Sequence, residues 1–259
     1  MVSESRRHRL VSLFYKSIES YNKHVTISVP AGRLAKDGLY DQFARIGKAS
    51  AHPKRLELLD VLSQGERSVE VLADAVAMSV VNTSAHLRVL RESRMVETRR
   101  DGKKVFYRLA GDEVFDFVTS LRSLAGARYA EVERIVRDFF VARDHLDPVD
   151  REELLERARG KGVVILDVRP QEEYEAGHIP GSVSIPLAEL RGRIDELPPE
   201  ADVVAYCRGV YCVLAPQAVD LLSRRGFKAR RLADGFPEWR RAGLPVATGV
   251  TPTGVGTGG

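Results

Sequence analysis

The sequence predicts two domains, a mainly α winged helix-turn-helix and then an α/β domain built on a parallel sheet. Three observations carry this. From Asp37 onward short amphipathic helical segments follow one another, then give way to β-rich runs around "MVETRRDGKKVFYRL". A long helical pattern ends at Asp147-Pro148, where proline stops the helix. After that break, apolar strand-like runs alternate with helical ones, which implies parallel strands with helices on both faces. At 259 residues the chain can bury two cores.

Residues 1–36 mix basic, polar and scattered apolar residues without a sustained period, and read as a disordered extension or as the product of an upstream start codon. "GLYDQFARIGKA" then spaces Leu39, Phe43 and Ile46 along one helical face. "HPKRLELLDVL" follows, with Pro53 suited to a first helical turn. "SVEVLADAV" and "SVVNTSAHLRVLRES" are two further short helices. Val96, Val105 and Tyr107 then lie in strand-like runs around an Asp101-Gly102 turn. Residues 111–144 read as one long helix, whose apolar face calls for a partner helix. Residues 37–146 are thus expected to form the DNA-binding and dimerisation domain.

Three helices and a hairpin in this order place one helix in the major groove and the hairpin on the flanking backbone. With Thr83, Leu87 and Leu90 inward, Asn82, Ala85 and Arg88 face out, flanked by Ser79 and His86. Asn pairs with adenine through two hydrogen bonds, and Arg reaches a base or a phosphate. The global charge of +4 says little, since residues 1–36 hold seven Lys/Arg against two Asp/Glu and the other 223 residues sum to −1. From His86 to Arg108, however, eight Lys/Arg stand against three acids. Arg99, Arg100, Lys103 and Lys104 put much of that charge on the hairpin. The patch reads as a DNA-binding face or as a solvated basic one, and its overlap with helix and hairpin favours double-stranded operator DNA.

"FARIGKASAHPKRLELLDVLSQGERSVEVLADAV" and "MSVVNTSAHLRVLRESRMVETRRDGKKVFYRL" resemble the ArsR/SmtB family of bacterial repressors over about residues 38–145. The resemblance implies a homodimer built on the first and last helices, and an inducer that releases operator DNA. Metal-sensing members carry a thiolate pair before the recognition helix. The matching positions here are Ser68 and Glu70, and the long helix offers only His145 at its end. Neither a metal nor any other cofactor is therefore expected.

In the second half, residues 150–247, "GVVILDV", "GSVSIP", "ADVVAYC" and "FKARRL" read as strands. "QEEYEAG", "LAELRGRIDEL", "VLAPQAVDLLSRRG" and "FPEWRRAG" read as helices. The tail 248–259 is too rich in glycine and threonine to fold. The chain's only two cysteines both lie in "YCRGVYCVLAP". Cys207 ends a strand just before a helix, where loop amides and the helix amino terminus favour a thiolate. Cys207 is thus expected to have a lowered pKa and to be nucleophilic, with Arg208 as a fixed charge for an anionic donor. The alternative is a pair of inert, buried thiols.

"LDVRPQEEYEAGHIPGSVSIP" and "LADGFPEWRRAGLPV" resemble the two signature segments of rhodanese-like sulfurtransferases. In the second, Phe236 stands where the family has a glycine. The likeness implies that Cys207 takes sulfane sulfur as a persulfide, that Arg208 is the loop arginine, and that Asp167 and Arg169 support the loop. The phosphatase relative needs an arginine six residues after the cysteine; Val213 stands there. His178 is expected to fix a turn and Trp239 to lie in the core. Cys212 either resolves the persulfide by attack or is a small packing residue.

The expected function is a transcription regulator whose rhodanese domain accepts sulfur from thiosulfate or a persulfide and biases DNA binding. Two other readings stay open: a sulfurtransferase without coupling to DNA, and an oxyanion sensor without turnover. Two cysteines make no disulfide framework, no apolar run reaches the roughly 20 residues of a membrane span, and no secretory signal opens the chain, so a cytoplasmic location is expected.

Overall fold

The computed structural model describes residues 31–139, 147–159, 162–199 and 201–249. The chain divides into two compact units, one ending at Lys48 and one beginning at Ala49. The first is built on helix α1 (Ala31–Ser50). This helix starts six residues before Asp37, which corrects the expected extension. Arg33 and Asp37 pair at i,i+4 spacing, 2.8 Å apart, across its first turns. Residues 1–30 lie outside the described residues. Leu34, Leu39, Tyr40 and Phe43 are exposed along α1.

In the second unit, α2 (Pro53–Leu62) begins with proline after His52, whose ring nitrogen accepts from the Lys54 amide. A two-residue strand β1 (Arg67–Ser68) leads into α3 (Val69–Ala75). Helix α4 (Val80–Glu92) is capped by Ser79, whose hydroxyl accepts from the Asn82 N–H. Strands β2 (Val96–Asp101) and β3 (Lys104–Leu109) form the antiparallel wing, with Asp101 opposite Lys104. The two-residue turn needs a left-handed backbone at Gly102, where φ is +58°. Leu58, Leu59, Leu62, Leu72, Leu87, Leu90, Met95 and Val118 close the core.

The expected single helix over 111–144 is two helices, α5 (Asp112–Arg128) and α6 (Ala130–Phe139). Tyr129 between them takes extended backbone, with φ −115° and ψ 108°. Gly126 just upstream weakens the helix there. His145 lies outside the described residues.

The remainder alternates as the sequence implies. Helix α7 (Arg151–Arg159) precedes β4 (Val163–Asp167), α8 (Gln171–Ala176), β5 (Val183–Ser184), α9 (Leu187–Arg193) and β6 (Asp202–Tyr206). Then come α10 (Leu214–Arg224), β7 (Lys228–Arg231) and α11 (Phe236–Arg241). The four strands are parallel, in the order β5-β4-β6-β7. Side-chain alternation splits the core in two. Leu166, Val203 and Ala205 face α9 and α10, whereas Ile165, Val204 and Tyr206 face α7 and α11. Central strand β6 delivers Cys207 to the first layer. Gly249 donates its amide to the Glu175 carbonyl, and residues 250–259 lie outside the described residues. No helix among the described residues is long and apolar enough to cross a membrane.

Candidate functional site

Thr83, Leu87 and Leu90 are buried beneath α4, leaving Asn82, Ala85 and Arg88 exposed. Ser79 is exposed, but its hydroxyl serves the helix cap. His86 departs from the outward-facing set it was expected to flank. It is half-buried against the His52 ring, 4.4 Å between centroids. Burial, with His52 and Arg55 nearby, holds its pKa below the ordinary value, so it is neutral at pH 7. The wing splits as well. Arg100, Lys103 and Lys104 are exposed around the tip, whereas Arg99 is clamped by Glu66 at 2.7–3.2 Å and also reaches Asp101.

Cys207 follows β6 with its side chain 3% exposed, and Cys212, half-buried, closes the loop. The thiolate expected at Cys207 is not what the surroundings favour. Burial pushes the Cys207 thiol well up, and the neighbouring Cys212 side chain adds to this. The Cys207 thiol beside it holds Cys212 below the usual thiol range, assisted by backbone amides and by Arg208. The loop amides therefore act on the second cysteine. Buried Cys207 keeps its proton and donates it to the Cys212 and Gly209 carbonyls, 3.7 and 4.0 Å away.

Arg208 is also reassigned. Its guanidinium grips the Glu173 carboxylate of α8 at 2.6–3.1 Å, with Glu173 only 3% exposed. A charge matched in this way is not available to an incoming anion. Below the loop, Asp167 and Arg169 form a fully buried ion pair, as close as 2.6 Å. Burial alone would lower the Arg169 pKa, but the Asp167 carboxylate outweighs it and raises it. Arg169 also donates to the Gly177 carbonyl and lies 4.4 Å from the Phe236 ring centre. His178 fixes a turn, its backbone bridged to Ala247 and its ring stacked on Tyr174. Trp239 is core.

The winged-helix half reaches this loop directly. The Gln64 amide, 1% exposed, donates to the Arg208 carbonyl at 2.8 Å and accepts from Arg169 at 3.2 Å. Arg240 donates to the Ser63 carbonyl at 2.9 Å, and Arg241 pairs with Asp116 at 2.6 Å. Tyr211 of the loop lies beneath Arg122 of α5.

Two family models match, a bacterial regulatory protein of the arsR family over residues 52–98 and a rhodanese-like domain over residues 150–242. The HTH-type transcriptional regulator Rv0324 of Mycobacterium tuberculosis is 46% identical over 221 residues, covering 85% of this chain and 96% of its own length. This chain belongs to the ArsR-type regulators that carry a rhodanese-like domain. A sulfurtransferase of Allochromatium vinosum is 32% identical over 111 residues, 42% of this chain and 99% of that protein. A homodimeric winged helix-turn-helix DNA-binding domain from Mycobacterium bovis is 39% identical. It covers 39% of this chain and 93% of that one, with a TM-score of 0.36.

Three features of this ArsR-type regulator escape a linear reading. Val81, 78% exposed at the start of α4, offers an apolar contact suited to a thymine methyl. Glu173 and Gln64 act on residues 35 and 144 positions away, and only the tertiary fold brings them to the loop. Among the described residues no group of three His, Cys, Asp or Glu side chains could hold a metal ion.

Replacing Arg100, Lys103 and Lys104 together by Ala is expected to weaken duplex binding at every sequence. The log–log salt slope should flatten by about 0.9 for each phosphate that the wing no longer neutralises. Arg99→Ala, whose charge Glu66 already matches, should flatten it less than any single change among the three. Fluorescence anisotropy across a salt series reads both, and an Arg99→Ala effect equal to the triple variant's would refute the division of the wing.

The thiol pair yields a pH prediction. Cys212→Ser removes the neighbouring thiol whose interaction raises the Cys207 pKa, so the Cys207 pKa should fall. Iodoacetamide labelling read by mass spectrometry against pH should show Cys212 modified first in the wild type. Cys207 in the variant should be labelled at lower pH than in the wild type; an unchanged or higher labelling pH would contradict the coupling.

Proposed function

We propose that this ArsR-type regulator binds operator DNA as a homodimer and accepts sulfane sulfur on Cys207, and that the sulfur state of the loop sets its affinity for DNA. The observation that carries this reading is the Gln64 side chain, which belongs to the DNA-binding half and holds the backbone of the residue beside Cys207. The exposed apolar residues Leu34, Leu39, Tyr40 and Phe43 of α1 support a helical dimer seam, as do Leu124, Tyr129 and Ile135 of α5 and α6.

The sulfur step begins with the Cys207 proton, which passes to the neighbouring Cys212 sulfur. The Cys207 thiolate attacks the sulfane sulfur of thiosulfate. A new S–S bond forms, the old one breaks, and sulfite leaves with the electron pair. Cyanide or an acceptor thiol can then take the outer sulfur. Alternatively Cys212 attacks the Cys207 sulfur, giving a loop disulfide and hydrosulfide, with its own proton passing to the leaving sulfur. A lowered Cys212 pKa suits the attacking role, whereas passing the Cys207 proton to it runs uphill and is drawn forward by the departure of sulfite. The oxyanion-sensor reading is weakened because Glu173 already matches Arg208.

The test uses a duplex selected from a random-sequence pool by the reduced full-length protein. Thiosulfate or polysulfide should change wild-type affinity at least about fivefold, the low end of ordinary coupling between sites. It should leave Cys207→Ala unchanged. Mass spectrometry should find a gain of about 32 Da on Cys207 in the wild type. A persulfide without any change in affinity would favour a plain sulfurtransferase, the reading that the likeness to the Allochromatium enzyme supports. Loading of Cys207→Ala at another residue would refute the site.

A further inference from the structure

We infer that residues 63–68 relay the sulfur state of the Cys207 loop to the wing, with Gln64 reading the loop and Glu173 changing partners; this rests on the sulfur-accepting reading above. The loop is rigid on one side. The Phe236 amide donates to the Cys207 carbonyl at 3.0 Å, and Gly235 lies so close that a Cβ there would sit 2.2 Å from the Gly209 nitrogen. Cys207 is 3% exposed, so an added sulfur atom enlarges a close-packed site. The loop's other side is held by side-chain hydrogen bonds, from Gln64 to the Arg208 carbonyl and from the Arg208 guanidinium to Glu173. Displacement goes that way.

The same short segment grips the wing at its far end. Glu66 clamps Arg99 of β2, and Arg67 and Ser68 pair with Tyr107 and Phe106 of β3. A shift of Gln64 is therefore passed within four residues to the hairpin that carries Arg100, Lys103 and Lys104.

A relay needs a second arrangement, and one is prepared. Arg67 is 6% exposed, and its Nη2 is buried without a hydrogen-bond partner. Gly65 faces Ala176 of α8, at the end of the helix that carries Glu173, and Glu173 is the carboxylate that acts most strongly on Arg67. In the present arrangement Glu173 holds Arg208. When the loop moves and Arg208 withdraws, the same carboxylate can take Arg67 and pull on β1 and the wing.

The experiment compares full-length wild type, Gln64→Met and Arg67→Met on the selected duplex, before and after thiosulfate, with sulfur loading followed by mass in the same samples. Wild type should change affinity at least about fivefold, and each variant less than about twofold with sulfur on Cys207. Should Gln64→Met not fold, Arg67→Met decides alone. A response of wild-type size in either folded variant overturns the relay. Loss of loading in a variant overturns it too, by making that residue part of the sulfur chemistry. No response in the wild type overturns sulfur sensing itself, and the relay with it.

Discussion

A guanidinium taken wholly out of water has to find partners for its N–H groups within the protein. Arg169, with no exposed surface, meets that requirement only by reaching beyond its own domain. Asp167 takes three of its hydrogen bonds, the Gly177 carbonyl takes one, and the Gln64 oxygen of the winged-helix half takes another. Removing one partner of such a buried pair costs about 3–5 kcal/mol, because a charge is left uncompensated. The rhodanese-like core is therefore completed by the DNA-binding half, and the amide that completes it also holds the cysteine loop.

The neighbouring arginines extend this constraint. Arg208, Arg169 and Arg67 crowd around Asp167 and Glu173, and in the present arrangement Arg67 has an unsatisfied N–H. A buried donor without a partner costs about 1–3 kcal/mol. In the proposed relay, that unmet donor is what draws Glu173 from Arg208 once the loop moves.

Much of this was legible in the sequence where local pattern suffices. The inward set Thr83, Leu87 and Leu90 follows from helical spacing, and the wing turn follows from Asp101-Gly102. The parallel sheet follows from alternating apolar runs. Cys207 stands out because a cysteine at a strand-to-helix seam is chemically conspicuous. The misreadings share one cause, which is that charge and burial depend on neighbours far along the chain. Arg208 looks like a free cation until Glu173 is beside it, and Arg99 looks like a phosphate contact until Glu66 clamps it. Cys207 looks like a thiolate until its burial is known. Gln64 carried no signal at all, since an uncharged side chain at a helix end gives no hint of a partner 144 residues away.

The sulfur loop and the wing are joined mechanically through residues 63–68. Hydrogen exchange of the full-length protein, without DNA and before and after thiosulfate, tests this link most directly, because backbone protection reports local opening segment by segment. Exchange should change together in peptides covering residues 207–212, 63–68 and 96–109, and every change should be abolished in Cys207→Ala. Changes confined to residues 207–212 in a protein that mass spectrometry shows to be loaded would contradict the link.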